Sequence, residues 1–433
     1  MLPSLNLILG KGLSISQKVA SLFRNGEQGV WYDPSDFSTM FQDAAGTIPV
    51  TAVGQAVGRI LDKSGRGNHA TQTTSTKRPV LSARVNRLLQ TENLDGNSWS
   101  KQFGGTGVAP VVTPGFEAPN GTLTAFRLQL NKGSGTTASD LSHITATSFV
   151  SSALVKTSSI WIKSLSGTPA IVFRNNGASS ALTTITNDWV LYSLKNVAVT
   201  APEDLFQVIL RGSFNTSNSC DLLLWHPDDR ASNDAIGSPS YQRVNTATDY
   251  DTVGFPFYLL FDGIDDALQT ASVDFTGTDK VTVWAGVRKL SDAATSVLAE
   301  LSLSVDTNNG SFSITAPSGN GSNSYRFTNK GTTQSLAGTG IFAAAPDTAV
   351  IACIGDISGN VSKLRRNTTD ITTNILNQGT GNYGNYQLDI GSRGGTTLPF
   401  NGRLYSMIIR GAQSTATQIS TAETYVNSKT GAY

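Results

Sequence analysis

The chain has 433 residues, enough for two or three domains with separate cores, and 42 of them are glycine, as suits a turn-rich β protein. Only 15% are charged, the net charge is +1, and no segment concentrates a basic field, which argues against nucleic acid as a partner. No stretch reaches the ~18 apolar residues that cross a bilayer, so membrane insertion is not expected.

In chain order, the first residues, MLPSLNLILGKGLSISQKVASLF, contain an apolar stretch at 5–9 that Lys11 interrupts and no basic group precedes. That is not the layout of a secretory signal peptide. Residues 15–23 form a short amphipathic piece with two open readings, docking onto a partner or packing as a terminal helix. Residues 30–81 mix short strands with turns at Asp33-Pro34, at Ala45-Gly46 and in the DKSGRGN corner at 62–68.

From Asn86 the pattern changes. Alternating or apolar runs at 124–130, 158–163, 170–174, 189–194, 206–211 and 220–225 are separated mostly by Gly, Asn, Ser or Pro clusters. Short punctuated strands in that number argue for a jelly-roll sandwich. Residues 226–250, rich in Asp, Asn, Ser and Pro, read as a return linker.

The third section restarts at FYLLF (257–261), turns at Asp262-Gly263, and continues with strands at 280–288, 297–305, 310–316, 349–356, 387–391 and 402–410. A helix over 415–429 is expected, with Ser414 as N-cap and Gln418 near the capping-box position. Ile419, Ala422 and Val426 form its apolar face, and Gly431 its C-terminal cap. Residues 30–81 hold too few strands to bury two sheet faces alone, and 257–433 can use extra partners. The fold class is therefore all-β, with one sandwich interrupted by another. The expected domains are an N-terminal anchoring segment at 1–28, a discontinuous sandwich over 29–85 and 246–433, and an inserted jelly roll over 86–245.

DKSGRGNHA at 62–70, FDGIDDAL at 261–268 and PFNGRLYSMIIRG at 399–411 resemble concanavalin A-like, laminin-G-like sandwiches. Asn97-Ser98-Trp99, SIWIKS, the Trp189 strand and DLLLW are similar to carbohydrate-binding-module jelly rolls. The layout, above all WYDPSDFSTMFQDAAGTIPVTAVGQ at 31–55, resembles bacteriophage virion proteins of the tail-fibre or head-decoration kind. The resemblance implies a non-enzymatic virion component made in the host cytoplasm and held by other virion proteins through its N-terminal segment. It would be present as a homo-oligomer and adhere weakly to host surface glycans. The alternative is a purely structural decoration, collar or fibre subunit with no sugar ligand.

Candidate sites follow from side-chain chemistry. In SIWIKS, alternation puts Ile160 and Ile162 on one face and Trp161 with Lys163 on the other, an aromatic beside a cation as a glycan platform needs. Arg174 and Arg211 end strands and are placed provisionally on the same sheet. Trp99 and Trp189 read as core. The GTGNYGNY loop offers Tyr383 and Tyr386 as contacts. Asp262, Asp265 and Asp266 cluster as calcium ligands can, although an Asp-Gly turn explains the first without metal. Calcium is the single cofactor candidate. Asp62, Asn68 and His69 read as a hydrogen-bonded corner, and His226-Pro227-Asp228-Asp229 as solvated linker. No G-x-S-x-G or H-E-x-x-H motif occurs. Cys220 and Cys353 are expected as buried free thiols.

Overall fold

The computed structural model describes residues 13–146, 154–175, 178–199, 205–235, 241–337, 343–372 and 376–433. The chain is all-β apart from two α-helices and short 3-10 turns, and it divides into two compact units. One joins Met1–Leu81 to Phe257–Tyr433; the other is Ser82–Pro256.

The discontinuous unit packs an eight-stranded sheet on a nine-stranded one. The early segment is woven into both. Gly29–Tyr32 pairs with Asn401–Arg410, with Trp31 opposite Ile408, and Ala70–Thr71 pairs with Leu268–Asp274, with Ala70 opposite Thr270. Val30, Met40, Ile60 and Leu81 share one core with Phe261, Leu301, Phe327 and Met407. Val80–Ser82, which leads into the insertion, lies beside Tyr258–Asp262, which leads out. Chain therefore leaves and returns at one place, the condition under which an insertion costs its host little.

The eight-stranded sheet is buried on both faces. Its second face lies under helices α1 (Ile15–Ala20) and α2 (Ala416–Thr430), where Val19, Leu22, Phe23, Ala422, Tyr425 and Val426 cluster with Trp31, Trp284 and Ile408. Two-sided burial explains why Asp347–Asp356 and Asn401–Arg410 read as near-continuous apolar runs. The α2 cap is Thr415, whose hydroxyl accepts from the Gln418 amide in a capping box; Ser414 instead accepts from Arg410 at 3.1 Å. Gly431 closes the helix at φ 64°. Residues 14–28 are thus an integral part of this unit, fixed further by the Glu27–Arg410 ion pair at 2.8 Å. The second half of the segment expected to anchor the chain (1–28) therefore has a packed apolar face. Residues 1–12 lie outside the described residues.

The inserted unit has eleven described strands: β1 Trp99–Gly104, β2 Val108–Phe116, β3 Ala125–Asn131, β4 Leu141–Ala146, β5 Leu154–Ser164, β6 Ala170–Asn175, β7 Ala178–Ser179, β8 Thr183–Thr184, β9 Val190–Val199, β10 Gln207–Arg211 and β11 Ser219–Ala231. One sheet runs β9-β5-β11-β3-β2; the other runs β7-β6-β10-β4-β1, with β8 on β6. Between them lies a core that includes Trp99, Leu128, Ile144, Ile162, Phe173, Phe206, Leu210 and Leu222. Trp189 lies outside it, half-buried, so only Trp99 of the two fills the core. The unit closes on itself. Gln242 Oε1 accepts from the Val85 and Asn86 amides at 2.7 and 3.0 Å, and Tyr250 shares a 2.9 Å bond with Ser82.

The linker reading of 226–250 fails at its start. Residues 226–231 continue β11, and Asp229 is fully buried, paired with Lys156 at 3.1 Å and Arg87 at 3.0 Å. Charge pairing inside a strand looks like solvated loop in a sequence, because only the partners distinguish them. Cys220 and Cys353 are both free and buried, and burial pushes the Cys220 thiol up to about 12. Among the described residues no helix is long and apolar enough to cross a membrane.

Candidate functional site: an aromatic face on the inserted unit

Strand β5 alternates as its sequence dictates: Ile160 and Ile162 enter the core, while Trp161 and Lys163 face away, half-buried. In register, Trp161 sits between Leu191 of β9 and Trp225 of β11. Leu191 is 48% exposed, and the Trp225 indole N–H donates to Thr124 Oγ1 at 3.0 Å, which fixes the ring. The register shifts here, four residues of β11 (225–228) opposing three of β5 (159–161), and His226 takes a left-handed φ of 50°. Such a bulge re-aims a side chain. The His226 ring stacks on Trp225 at 3.4 Å between centroids, and Tyr241 stacks on His226 at 3.6 Å. Burial holds the His226 imidazole down at about 4, so at neutral pH it is an uncharged flat ring.

Two residues along the strands, Lys163, Leu223 and Arg127 form the next row. Arg127 forks Asp221 through Nε at 2.8 Å and Nη2 at 2.5 Å. Leu223 is 4% exposed despite facing away from the core, as the stems of long basic neighbours can arrange. Beyond it, Asp221, Gln129, Asn131, Ser166, Thr168 and Ser217 line a cleft of about 730 Å³. Four residues separate Trp225 from Asp221, about 13 Å along the strand. Flat apolar rings thus adjoin a bidentate ion pair, an ammonium and a cleft of amides and hydroxyls. That combination can stack on the C–H face of a sugar ring while bonding its hydroxyls.

The other predicted residues are scattered. Arg174 and Arg211 lie in β6 and β10, neighbouring strands of one sheet, but on the opposite sheet from Trp161, which corrects their placement beside it. Tyr383 is 1% exposed, packs on Phe312 at 6.1 Å and donates to Asn329 Oδ1 at 2.5 Å. It is a core residue rather than a contact, because its loop turns inward. Tyr386 is half-buried and donates to the Asn309 carbonyl at 3.0 Å. Asp262, Asp265 and Asp266 bring one oxygen each within 4.8 Å of the others. Two are already engaged, since Asp266 accepts from the Asp262 amide at 3.0 Å and Asp262 from Ile264 at 2.7 Å. Burial and the Asp262 charge push Asp266 up to about 6. At the DKSGRGN corner, Asp62 accepts from the amides of Trp31, Ser64 and Asn68, and His69 Nδ1 from the Asp62 amide at 3.0 Å.

Sequence reasoning missed Trp225, although it is out of phase with the core residues Cys220, Leu222 and Leu224. It also missed an acidic pair, Glu300 opposite Asp389 on neighbouring strands. Both are fully buried, and burial raises both carboxyls. Arg393 holds Glu300 at 2.9 Å; Gln269 and the Gly394 amide hold Asp389 at 2.7 and 2.8 Å. The pair ties loops to the sheet and offers no oxygen to a substrate.

No family model matches the chain, and no curated protein does. Among solved structures, the chain is similar to the CBM40 of Ruminococcus gnavus IT-sialidase bound to alpha2,3 sialyllactose, at 14% identity and TM-score 0.27, over 34% of this chain and 83% of that one. It is also similar to domain 4 of AbnA, a GH43 extracellular arabinanase from Geobacillus stearothermophilus, in complex with arabinotriose (15%, TM-score 0.30, 39% of this chain and 76% of that one). A third is the SAP-like pentraxin of Limulus polyphemus (12%, TM-score 0.30, 38% of this chain and 80% of that one). Likeness at these values says nothing about the ligand or kinship of this chain.

Proposed function

We propose that the inserted unit is a glycan-binding module without catalytic activity, displayed on a bacteriophage particle and adhering weakly to host surface glycans. The observation that carries the binding half is the in-register pair Trp161–Trp225 on the face away from the core, beside Lys163 and the Arg127–Asp221 fork. Weak single sites suffice on a particle that carries many copies, because linked binding events multiply. The particle setting rests on the sequence resemblance over 31–55. Attachment to other virion proteins is assigned to the N-terminal segment over 1–28.

A glycan array probed with the full chain tests the binding half. Wild type retains a defined set of host glycans, and Trp161→Ala with Trp225→Ala removes it while leaving the fold intact. Equal retention by the double variant, or no retention by wild type, rejects the module. Antibody labelling of particles tests the setting, and unlabelled particles reject it.

A further inference from the structure

The two edges of the five-stranded sheet in the inserted unit are built differently. At one edge, β2 carries Pro110 and Pro114 and shifts register twice against β3, features that blunt a strand against further pairing. At the other edge, β9 runs for ten residues without proline and is the longest edge strand among the described residues. It pairs with β5 on one side, and no described strand lies on the other. Alternate amides and carbonyls of β9 therefore point outward. The edge is open to water. Val190 and Leu191 are 37% and 48% exposed, and Ser193, Lys195, Asn196 and Ala198 are exposed as well.

A bulge divides the strand. Residues 195 and 196 together oppose Thr157, Asn196 takes a φ of 55°, and its amide donates to Thr157 Oγ1 at 3.3 Å. The bulge and Lys195 end the flat part of the edge. Residues 190–194, which precede them, carry no charge. Leu191 and Ser193 face the same side as Trp161; Val190, Tyr192 and Leu194 face the core side, where Tyr192 and Leu194 pack partly on the core.

This segment is complementary to itself. Laid antiparallel on a second copy with Tyr192 at the centre, Val190 meets Leu194 and Tyr192 meets Tyr192 on the core side, while Leu191 meets Ser193 on the outward side. Apolar and aromatic cross-strand pairs of this kind stabilise a ladder, and no like charges are opposed, because Lys195 falls opposite Trp189. The two-fold axis of an antiparallel pair stands perpendicular to the sheet, so both copies use the same surface and the pairing closes at two. The blunted β2 edge stops the sheet from growing at its far sides. We propose that β9 is a dimerisation edge, which joins the five-stranded sheets of two copies of this chain into one continuous sheet. Both Trp161 side chains then lie on one face of that sheet, about 16 Å apart by strand spacing and rise. The dimer needs no sugar ligand. For the glycan reading proposed above, its consequence is a pair of sites facing one way, which multiplies weak binding.

The experiment follows the full chain by sedimentation velocity and by hydrogen exchange with mass spectrometry, at about 1 and about 200 µM. So short an edge lies at the small end of interfaces, and a dissociation constant on the order of 10–100 µM is expected, with monomer at the lower concentration and dimer at the higher. Amides of residues 190–194 gain protection at the higher concentration, and those of residues 108–116 do not. Tyr192→Lys, which opposes two ammonium groups at the axis, weakens the dimer at least about tenfold. Wild type that stays monomeric at the higher concentration, an oligomer whose formation leaves exchange at 190–194 unchanged, or full association of folded Tyr192→Lys overturns the edge. Exchange is read in wild type, so the test survives a variant that misfolds.

Discussion

On the eight-stranded sheet of the discontinuous unit, Trp31 and Trp284 point away from the sandwich core yet are 3% and 0% exposed, because α1 and α2 lie over them. Trp31 meets the Tyr425 ring edge-on at 5.5 Å. On the five-stranded sheet of the inserted unit, Trp161 and Trp225 also point away from their core, and no helix among the described residues covers them. The same side chain on the same kind of strand is sealed in one unit and only half-buried in the other. What differs is whether the chain supplies a third layer, and that layer comes from helices near the two ends of the sequence, Ile15–Ala20 and Ala416–Thr430.

Removing the third layer is the harshest way to break the comparison. Deleting residues 1–28 strips Val19, Leu22 and Phe23 from the cluster, at about 1.5–3 kcal/mol each. The discontinuous unit is expected to melt more than about 10 °C lower in calorimetry or to be insoluble. Equal midpoints would show that α1 contributes nothing. Next in size, Trp284→Ala should cost about 3–5 kcal/mol in denaturant unfolding. Trp161→Ala should cost less than about 1 kcal/mol, since a half-exposed ring leaves no sealed cavity.

Acid separates the two units more gently. His143 and His226, both in the inserted unit, have folded-state values near 4, below the ~6.5 of an unfolded chain. Between those values the unfolded chain holds more protons, so stability is complete above about pH 6.5 and drains away as pH falls toward 4. The loss is on the order of 2 kcal/mol per histidine. A His143→Gln, His226→Gln double variant should flatten that slope; an unchanged slope would mean neither imidazole is buried in solution. The smallest expected effect is at Asp262, Asp265 and Asp266. Part of their oxygen set is already engaged by backbone amides, so millimolar calcium should raise the melting midpoint of the discontinuous unit by less than about 2 °C. A larger rise, abolished in Asp265→Asn, would show that calcium outcompetes those amides.

Much of the alternation was legible. The β5 pattern placed Trp161 and Lys163 on the outward face from residue order alone, because a strand has only two faces. Strand β2 was not legible, since Pro110 and Pro114 argue against a ladder; an edge strand tolerates them where its amide side is unpaired. Tyr383 was misread because turn-rich composition marks a loop and says nothing of whether an aromatic within it turns inward. Arg174 and Arg211 could not be assigned a sheet, since sheet membership depends on which distant strand each one pairs with.

By itself, then, the order of residues determined the all-β class, the facing of individual strands and the glycine cap that ends the C-terminal helix. These depend on local periodicity and on hydrogen bonds within a few residues. Tertiary structure alone decided which outward faces are covered by a further layer, that Asp229 is a buried ion-pair partner, and that His143 is a buried imidazole. Each of those facts depends on the neighbour brought alongside by long-range pairing, and pairing partners leave no mark in the local sequence.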